Sequence, residues 1–186
     1  MQLIHTERLL LRPFSVEDAD FIFDVYSRWD VQRYLGAVPG VMASIDEALD
    51  RITAWHGLDD GVHGVWAVTE ADSGKLLGSL LLKFIPASGT NLAAEPAGDT
   101  EIGWHFHPDA RGKGCASEAA SAVLRHAFAH GLQKIVAVTN PDNHASQRVC
   151  ERIGMLHHGI SEAYYNARCE LFVASAARSE PSMSGV

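Results

Sequence analysis

The stretch EIGWHFHPDARGKGCASEAASAVL, Glu101 to Leu124, decides how this chain folds and what it can hold. It runs from alternating apolar and polar residues, through a turn with Gly112 and Gly114, into a run rich in Ala, Ser and Glu. A glycine-containing turn that opens a helix directs several backbone N–H groups outward at the positive end of the helix dipole, which suits it to an anion. A Walker A loop requires G-x-x-x-x-G-K followed by Ser or Thr, and here Gly112-Lys113 is followed by Gly114, so that reading fails. A dinucleotide fingerprint is closer, with Gly112 and Gly114 as G-x-G and Ser117 where the third glycine belongs. That motif should open the first βαβ unit, however, and an acidic residue should end the next strand, where this chain has Thr139 and Asn140. A plain helix-entry turn is the structural alternative.

Working outward, Leu9 to Phe14 reads as a strand, and Ser15 with Asp18 forms a capping box for a helix to about Arg28. RWDVQRYLG, with Trp29, Tyr34 and Leu35, reads as a short irregular segment. A second capping box, Ser44 and Glu47, starts a helix whose Ile45, Leu49, Ile52 and Trp55 mostly keep helical spacing. VWAVTE, a turn at ADSGK, and LLGSLLLKFI predict a β-hairpin, followed by a long loop from Pro86 to Asp99. Then come a strand Glu101 to His107, the glycine loop, a helix to His130 closed by Gly131, and the strand KIVAVT. A helix from about His144 to Ile153 closed by Gly154 and two final strands through AYYN complete the order. The order β-α-α-β-β-β-α-β-α-β-β, without repeat or linker, predicts one mixed α/β sheet in a single domain over 1–176. The small polar tail 177–186 is expected to be disordered.

The composition is that of a soluble globular domain, with 47% hydrophobic residues among 186. A net charge of −8 argues against a nucleic-acid partner, because phosphate contacts need clustered Lys and Arg. MQLIHTERLLLRPF is broken by charges and LLGSLLLKFI is too short to span a bilayer, so neither secretion nor a membrane partner is expected. Cys115, Cys150 and Cys169 lack any C-x-x-C spacing, which excludes a disulfide framework or zinc site and fits a cytoplasmic protein. His105 with His107, and His126 with His130, share faces as partial metal sites would, but neither pair has an evident third ligand, so no metal is expected.

Arg111, Gly114 and Ala116 also satisfy R-x-x-G-x-A. With TERLLLRPF at Thr6 to Phe14 and NPDNHASQRVCERIGM at Asn140 to Met155, the chain resembles the GNAT superfamily of acyl-CoA-dependent N-acetyltransferases from about Thr6 to Ala174. The similar branch includes enzymes that acetylate the N-terminal alanine or serine of ribosomal proteins. The resemblance implies an α/β (α+β) fold, a single mixed, mostly antiparallel sheet flanked by helices, with acetyl-CoA as co-substrate. It implies that the N–H groups of Arg111, Gly112, Lys113, Gly114, Cys115 and Ala116 cradle the coenzyme pyrophosphate. The backbone of Phe106 and His107 would pair with the pantetheine arm, Asn143 and Ser146 would face its thiol end, and Arg152 would reach a phosphate. Trp29, Tyr34, Tyr164, Tyr165 and His105 would border the acceptor. Where many members of the family place a tyrosine acid, this chain has Cys150.

The expected reaction moves an acetyl group from acetyl-CoA to a primary amine, a peptide N-terminus or a small molecule, in a ternary complex without a covalent enzyme intermediate. Glu101 is the expected base, with His105, four residues along the same strand face, as its rival, and Ser146 would meet the departing thiolate. A non-catalytic acyl-CoA-binding module and a transferase of longer acyl groups are the alternatives. A monomer or homodimer is expected.

Overall fold

Apolar alternation in VWAVTE and LLGSLLLKFI folds back on itself as the central hairpin of the sheet, and the rest of the chain is built onto its two sides. The computed structural model describes residues 1–36, 38–89 and 96–176. The strands are β1 (Ile4–His5), β2 (Leu9–Pro13), β3 (Gly64–Glu70), β4 (Leu76–Pro86), β5 (Pro96–Phe106), β6 (Lys134–Thr139), β7 (Leu156–Ser161) and β8 (Cys169–Ser175). They form one eight-stranded sheet in the order β1-β2-β3-β4-β5-β6-β8-β7. Every neighbouring pair is antiparallel except β5 and β6, which run parallel.

Helices cover both faces, which is why β3 is buried along nearly its whole length instead of alternating. On one face α1 (Ala19–Tyr26) and α3 (Ile45–His56) set Ile22, Val25, Tyr26, Ala48 and Ile52 against Val65, Ala67 and the partly buried Leu81. On the other, α4 (Cys115–Ala129) lays Ala119, Ala120, Val123 and Ala127 over Leu80, Leu82 and Ile102. The alternation of Leu80, Leu81 and Leu82 along β4 thus feeds both layers. The helix α5 (His144–Arg152) contacts β6, β7 and α4. Among the described residues no helix is long and apolar enough to cross a membrane.

Several boundaries differ from the sequence reading. The Ser15 N–H does donate to Asp18 Oδ2 at 2.9 Å, but the first turn, Val16–Asp18, is a 3-10 turn and α1 stops at Tyr26. A short helix α2 (Trp29–Gln32) replaces the irregular segment expected there. The strand β5 begins at Pro96 rather than Glu101, so residues 96–99 are strand where a loop was expected, paired through Pro96 with Pro86. Residues 90–95 and the tail 177–186 lie outside the described residues. Tyr164 and Tyr165 sit between β7 and β8, where Tyr165 and Asn166 have left-handed backbones (φ +59° and +51°) that no local sequence pattern announces.

The feature that positions the site is a parting of strands. Among the described residues β5 and β6 pair only at Thr100 with Ile135 and Glu101 with Val136. Beyond these, β5 stays with β4 as far as Phe106 opposite Gly78, while β6 stays with β8 as far as Thr139 opposite Glu170. A wedge opens between them. Its β5 side is held by a close approach at Gly78, where a Cβ would lie 2.5 Å from the His105 carbonyl oxygen and 2.8 Å from Phe106 Cα. Both obstacles are backbone. Gly78→Ala is therefore expected to destabilise the fold by about 1–3 kcal/mol, the usual cost of overpacking, lowering Tm by roughly 3–10 °C for a domain of this size. Thermal melting followed by circular dichroism checks it, and an unchanged Tm would mean that β4 and β5 have room to separate.

Candidate active site

The wedge inherits its chemistry from strand alternation. The His107 N–H donates to the Leu77 carbonyl at 2.9 Å, which fixes residues 101, 103, 105 and 107 as those whose backbone groups face β4. Ile102, Trp104 and Phe106 then turn their backbone groups toward the wedge. His107 has no such freedom: its carbonyl accepts from the Ala110 N–H at 2.9 Å, and its side chain pairs with Asp24 at 3.0 Å. Of the expected pair, Phe106 alone presents backbone to the wedge.

At the wide end, Gly112 and Gly114 have φ of +76° and +80°, and Gly114 caps α4 in the left-handed conformation. At Gly112 nothing lies within 4 Å of an added Cβ, so glycine is required there for its backbone angles and not for space. The loop is clamped from β2's approach. Glu118, in the first turn of α4, accepts from Thr6 Oγ1 at 2.6 Å, from the Arg8 N–H at 3.0 Å and from Arg8 Nε at 2.7 Å. Arg8 Nη1 reaches on to the Lys113 carbonyl at 3.1 Å. Burial would raise the Glu118 carboxyl, but these bonds outweigh it and hold it low, so the clamp stays charged. Sequence reading quoted Thr6, Arg8 and Glu118 without seeing that they meet.

Two cavities meet along the wedge. The larger, about 480 Å³, is lined by Phe106, Arg111, Gly112, Gly114, Cys115 and Ala116, and carries four arginines: Arg33, Arg111, Arg148 and Arg152. Arg111 also pairs with Asp30 at 2.7 Å, and Arg152 Nη1 lies 3.4 Å from Ser117 Oγ. Against Asp30 and Asp142 on the same lining, the four arginines leave an excess of positive charge that suits an anion, in a chain of net charge −8. Arg148 was missed, although its i, i+4 spacing to Arg152 was a readable signal. Lys113 contributes its carbonyl to the clamp and does not line the cavity.

The smaller cavity, about 260 Å³, is lined by Glu101, Lys83, Thr139, Tyr164, Tyr165 and Arg168 among others. Tyr34, Leu35, Trp104, His105, Asn143 and Ser146 line both and mark the junction. Trp29, more than half exposed, lines neither. Asn143 caps α5 by accepting the Ser146 N–H at 3.2 Å, which fixes Ser146 at the junction.

Glu101 is buried, 8% exposed, at the apex of the wedge. The Tyr165 hydroxyl donates to its Oε2, Lys83 Nζ lies 3.6 Å from the same oxygen, and Lys83 also bonds the Tyr165 hydroxyl at 2.8 Å. Burial raises the Glu101 carboxyl above the usual carboxylate range, and the Lys83 charge and the Tyr165 bond only partly oppose it. His105 shifts the other way: burial, with the charges of Arg51 and Lys83, brings it down to about 4. Tyr164 donates to Asp99 at 2.7 Å, which in turn pairs with Lys134. Thr139 Oγ1 is buried with no partner among the described residues, although its side chain borders the smaller cavity.

Cys150 is fully buried in the core, lines neither cavity, and burial pushes its thiol up to about 12. A thiol so placed is a poor proton donor to a group in either cavity. Among the described residues no three His, Cys, Asp or Glu side chains gather as metal ligands would. Together the geometry offers a cluster of arginines at the wide end, a strand edge with open backbone groups, and a buried carboxyl at the apex.

Comparison with known proteins accords with this geometry. A family model described as an acetyltransferase (GNAT) domain matches residues 8–156. The uncharacterized N-acetyltransferase YoaA of Bacillus subtilis (strain 168) is 32% identical over 164 residues, 87% of each chain. A GNAT-family acetyltransferase from Bacillus anthracis superposes with a TM-score of 0.72 at 27% identity, covering 92% of this chain and 96% of that one. RimL, a ribosomal L7/L12 alpha-N-protein acetyltransferase solved in complex with coenzyme A, has the same fold, with a TM-score of 0.75 at 18% identity, over 94% of this chain and 98% of that one.

The Lys83–Glu101 contact makes a pH-dependent expectation. A carboxyl whose folded pKa is raised favours the fold while protonated, and that contribution is lost as pH rises through the folded pKa. Lys83→Met removes the largest influence opposing burial, so Glu101 should titrate higher still, and the variant should lose more stability than the parent as pH rises above the ordinary carboxylate range. Carboxyl NMR titration with melts at several pH values checks both. A Glu101 midpoint unchanged or lowered would show that Lys83 does not act on it.

Proposed function

The chain belongs to the GNAT acetyltransferase family, and we propose that it transfers an acetyl group from acetyl-CoA to a primary amine by direct attack in a ternary complex. The observation that carries the reading is the position of Glu101, a buried carboxyl with raised pKa at the apex of a wedge whose wide end is lined by arginines.

The residues present suit the coenzyme. Left-handed Gly112 and Gly114 let the N–H groups of residues 112–116 converge on a pyrophosphate at the N-terminus of α4, with Arg111, Arg148 and Arg152 adding charge. The backbone groups of Trp104 and Phe106 are free to bond an amide-bearing arm as a neighbouring strand would. When bound, the coenzyme supplies an activated thioester. Glu101 takes the proton that an ammonium must lose before its nitrogen can attack. Attack forms the C–N bond and makes the acyl oxygen anionic; as it collapses the C–S bond breaks, the nitrogen's second proton passes to the departing thiolate, and Ser146, held at the junction by Asn143, faces that thiolate.

The acceptor occupies the smaller cavity, bordered by Tyr34, His105 and Tyr164. RimL's acceptor is a protein N-terminus, which supports a peptide amine here, and a small-molecule amine would meet the same groups. The three cysteines are free and buried, in keeping with a cytoplasmic enzyme.

An acceptor screen with acetyl-CoA, following thiol release, tests the reading. With an active acceptor, Glu101→Gln should lower kcat by roughly 10²- to 10⁴-fold and leave acetyl-CoA affinity nearly unchanged, whereas Cys150→Ala should keep most of the turnover. Because Glu101 must be ionised to act, the parent's rate should fall as pH drops through a midpoint above the ordinary carboxylate range. Full turnover by Glu101→Gln would remove the base.

A further inference from the structure

His105 stands at the junction of the two cavities, and the mechanism above gives it no chemical task beyond bordering the acceptor. We propose that it serves the transfer as a neutral hydrogen-bond donor, with the Tyr26 hydroxyl occupying Nδ1 and the Nε2–H at the cavity junction steadying the acyl oxygen as it becomes anionic. The inference rests on the acetyltransferase reading for its substrate, but its structural half stands on the free protein.

The proton inventory of a buried chain carries it. Tyr26, 1% exposed on α1, places its hydroxyl 2.6 Å from His105 Nδ1 and 3.1 Å from Ser79 Oγ. If Nδ1–H donated, the phenol proton would go to Ser79 Oγ and the Ser79 proton would have no acceptor among the described residues; with the phenol donating to Nδ1, each hydroxyl proton has one. Ser79, whose Oγ has no other partner among the described residues, then donates to the phenol oxygen. With Nδ1 accepting, the single proton of a neutral imidazole sits on Nε2.

The charges around the ring keep it neutral. Arg51 of α3 lies 4.5 Å from the Tyr26 ring centroid, and Lys83 of β4 is the next cation. Both disfavour an imidazolium, and Arg51 also makes the phenol a stronger donor. Glu101 of β5, four residues away on the same face, is held by Lys83 and Tyr165 instead. Burial and the nearby cations lower His105 to about 4, so at neutral pH the ring is neutral, accepts a proton more weakly than an ordinary imidazole, and can donate from Nε2 without ionising. His105 is one of the six residues that line both cavities, so it borders the passage that an acyl group moving between them would take. No proton changes hands there: the ammonium's first proton goes to Glu101, its second to the thiolate that leaves with the C–S electron pair, and the Nε2–H is returned intact. Tyr26 is the positioning residue.

Nitrogen-15 NMR of histidine-labelled free protein reads the tautomer directly. The expected result is a His105 ring with Nε2 protonated and Nδ1 bare, unchanged from pH 5 to pH 8, and a mixture of tautomers in Tyr26→Phe. An Nδ1–H tautomer in the parent, or titration within that range, overturns the proposal without touching the acetyltransferase reading. In steady-state kinetics His105→Ala should lower kcat by about 10²-fold, the scale of one lost oxyanion donor, with KM for both substrates nearly unchanged. His105→Asn, which keeps an N–H, should recover part of the loss. A raised acceptor KM at unchanged kcat would make His105 an acceptor contact and overturn the role. A parent protein that releases no thiol with any amine would instead overturn the transfer reading itself.

Discussion

Everything in the site depends on β5 and β6 ceasing to pair after Glu101 and Val136. A parallel ladder in mid-sheet normally satisfies every backbone group it buries, and an open stretch leaves donors and acceptors that need a partner. Here the ladder on either side is intact, from β4 to Phe106 and from β8 to Thr139, so the gap is held open by two well-formed half-sheets. The strand edge it exposes is a template for an extended, amide-bearing ligand, and Thr139 of β6 buries a hydroxyl that has no partner among the described residues. The same parting lets a helix N-terminus and the arginines of α5 face one end of the gap while a buried carboxyl closes the other.

Burial then acts on two side chains of one strand face with opposite results. Taking charge out of water raises a carboxyl and lowers an imidazole, so Glu101 becomes a better base than an ordinary glutamate and His105 loses its charge. The surrounding bonds refine this division. Lys83 and Tyr165 partly offset the burial of Glu101, and Tyr26 with Ser79 bonds the imidazole at Nδ1. On the proposed mechanism one desolvated cleft supplies both a proton acceptor and a fixed dipole.

Much of this was legible in the sequence because it is local. The glycine loop, the helix that follows it, the capping residues Ser44 and Asn143, and the hairpin at ADSGK each rest on a handful of adjacent residues. Glu101 could be placed on the strand feeding the loop for the same reason. What could not be read depends on register between distant segments. That His107 turns both backbone groups away from the wedge follows from its pairing with Leu77 and Ala110. That Arg8 and Glu118 clamp the loop needs β2 to lie beside α4, and that Tyr165 reaches Glu101 needs a left-handed tyrosine between β7 and β8. The start of β5 at Pro96 was hidden because Pro, Ala and Gly argue for a loop whether or not a neighbouring strand claims them.

The most direct measurement is a crystal structure of the protein with coenzyme A. The account places the pantetheine arm in the wedge, bonded to the backbone of Trp104 and Phe106, with the pyrophosphate on the N–H groups of residues 112–116 and the thiol at the junction by Ser146. Coenzyme bound away from the parted strands, or β5 and β6 closed into a continuous ladder in the presence of saturating ligand, would contradict it.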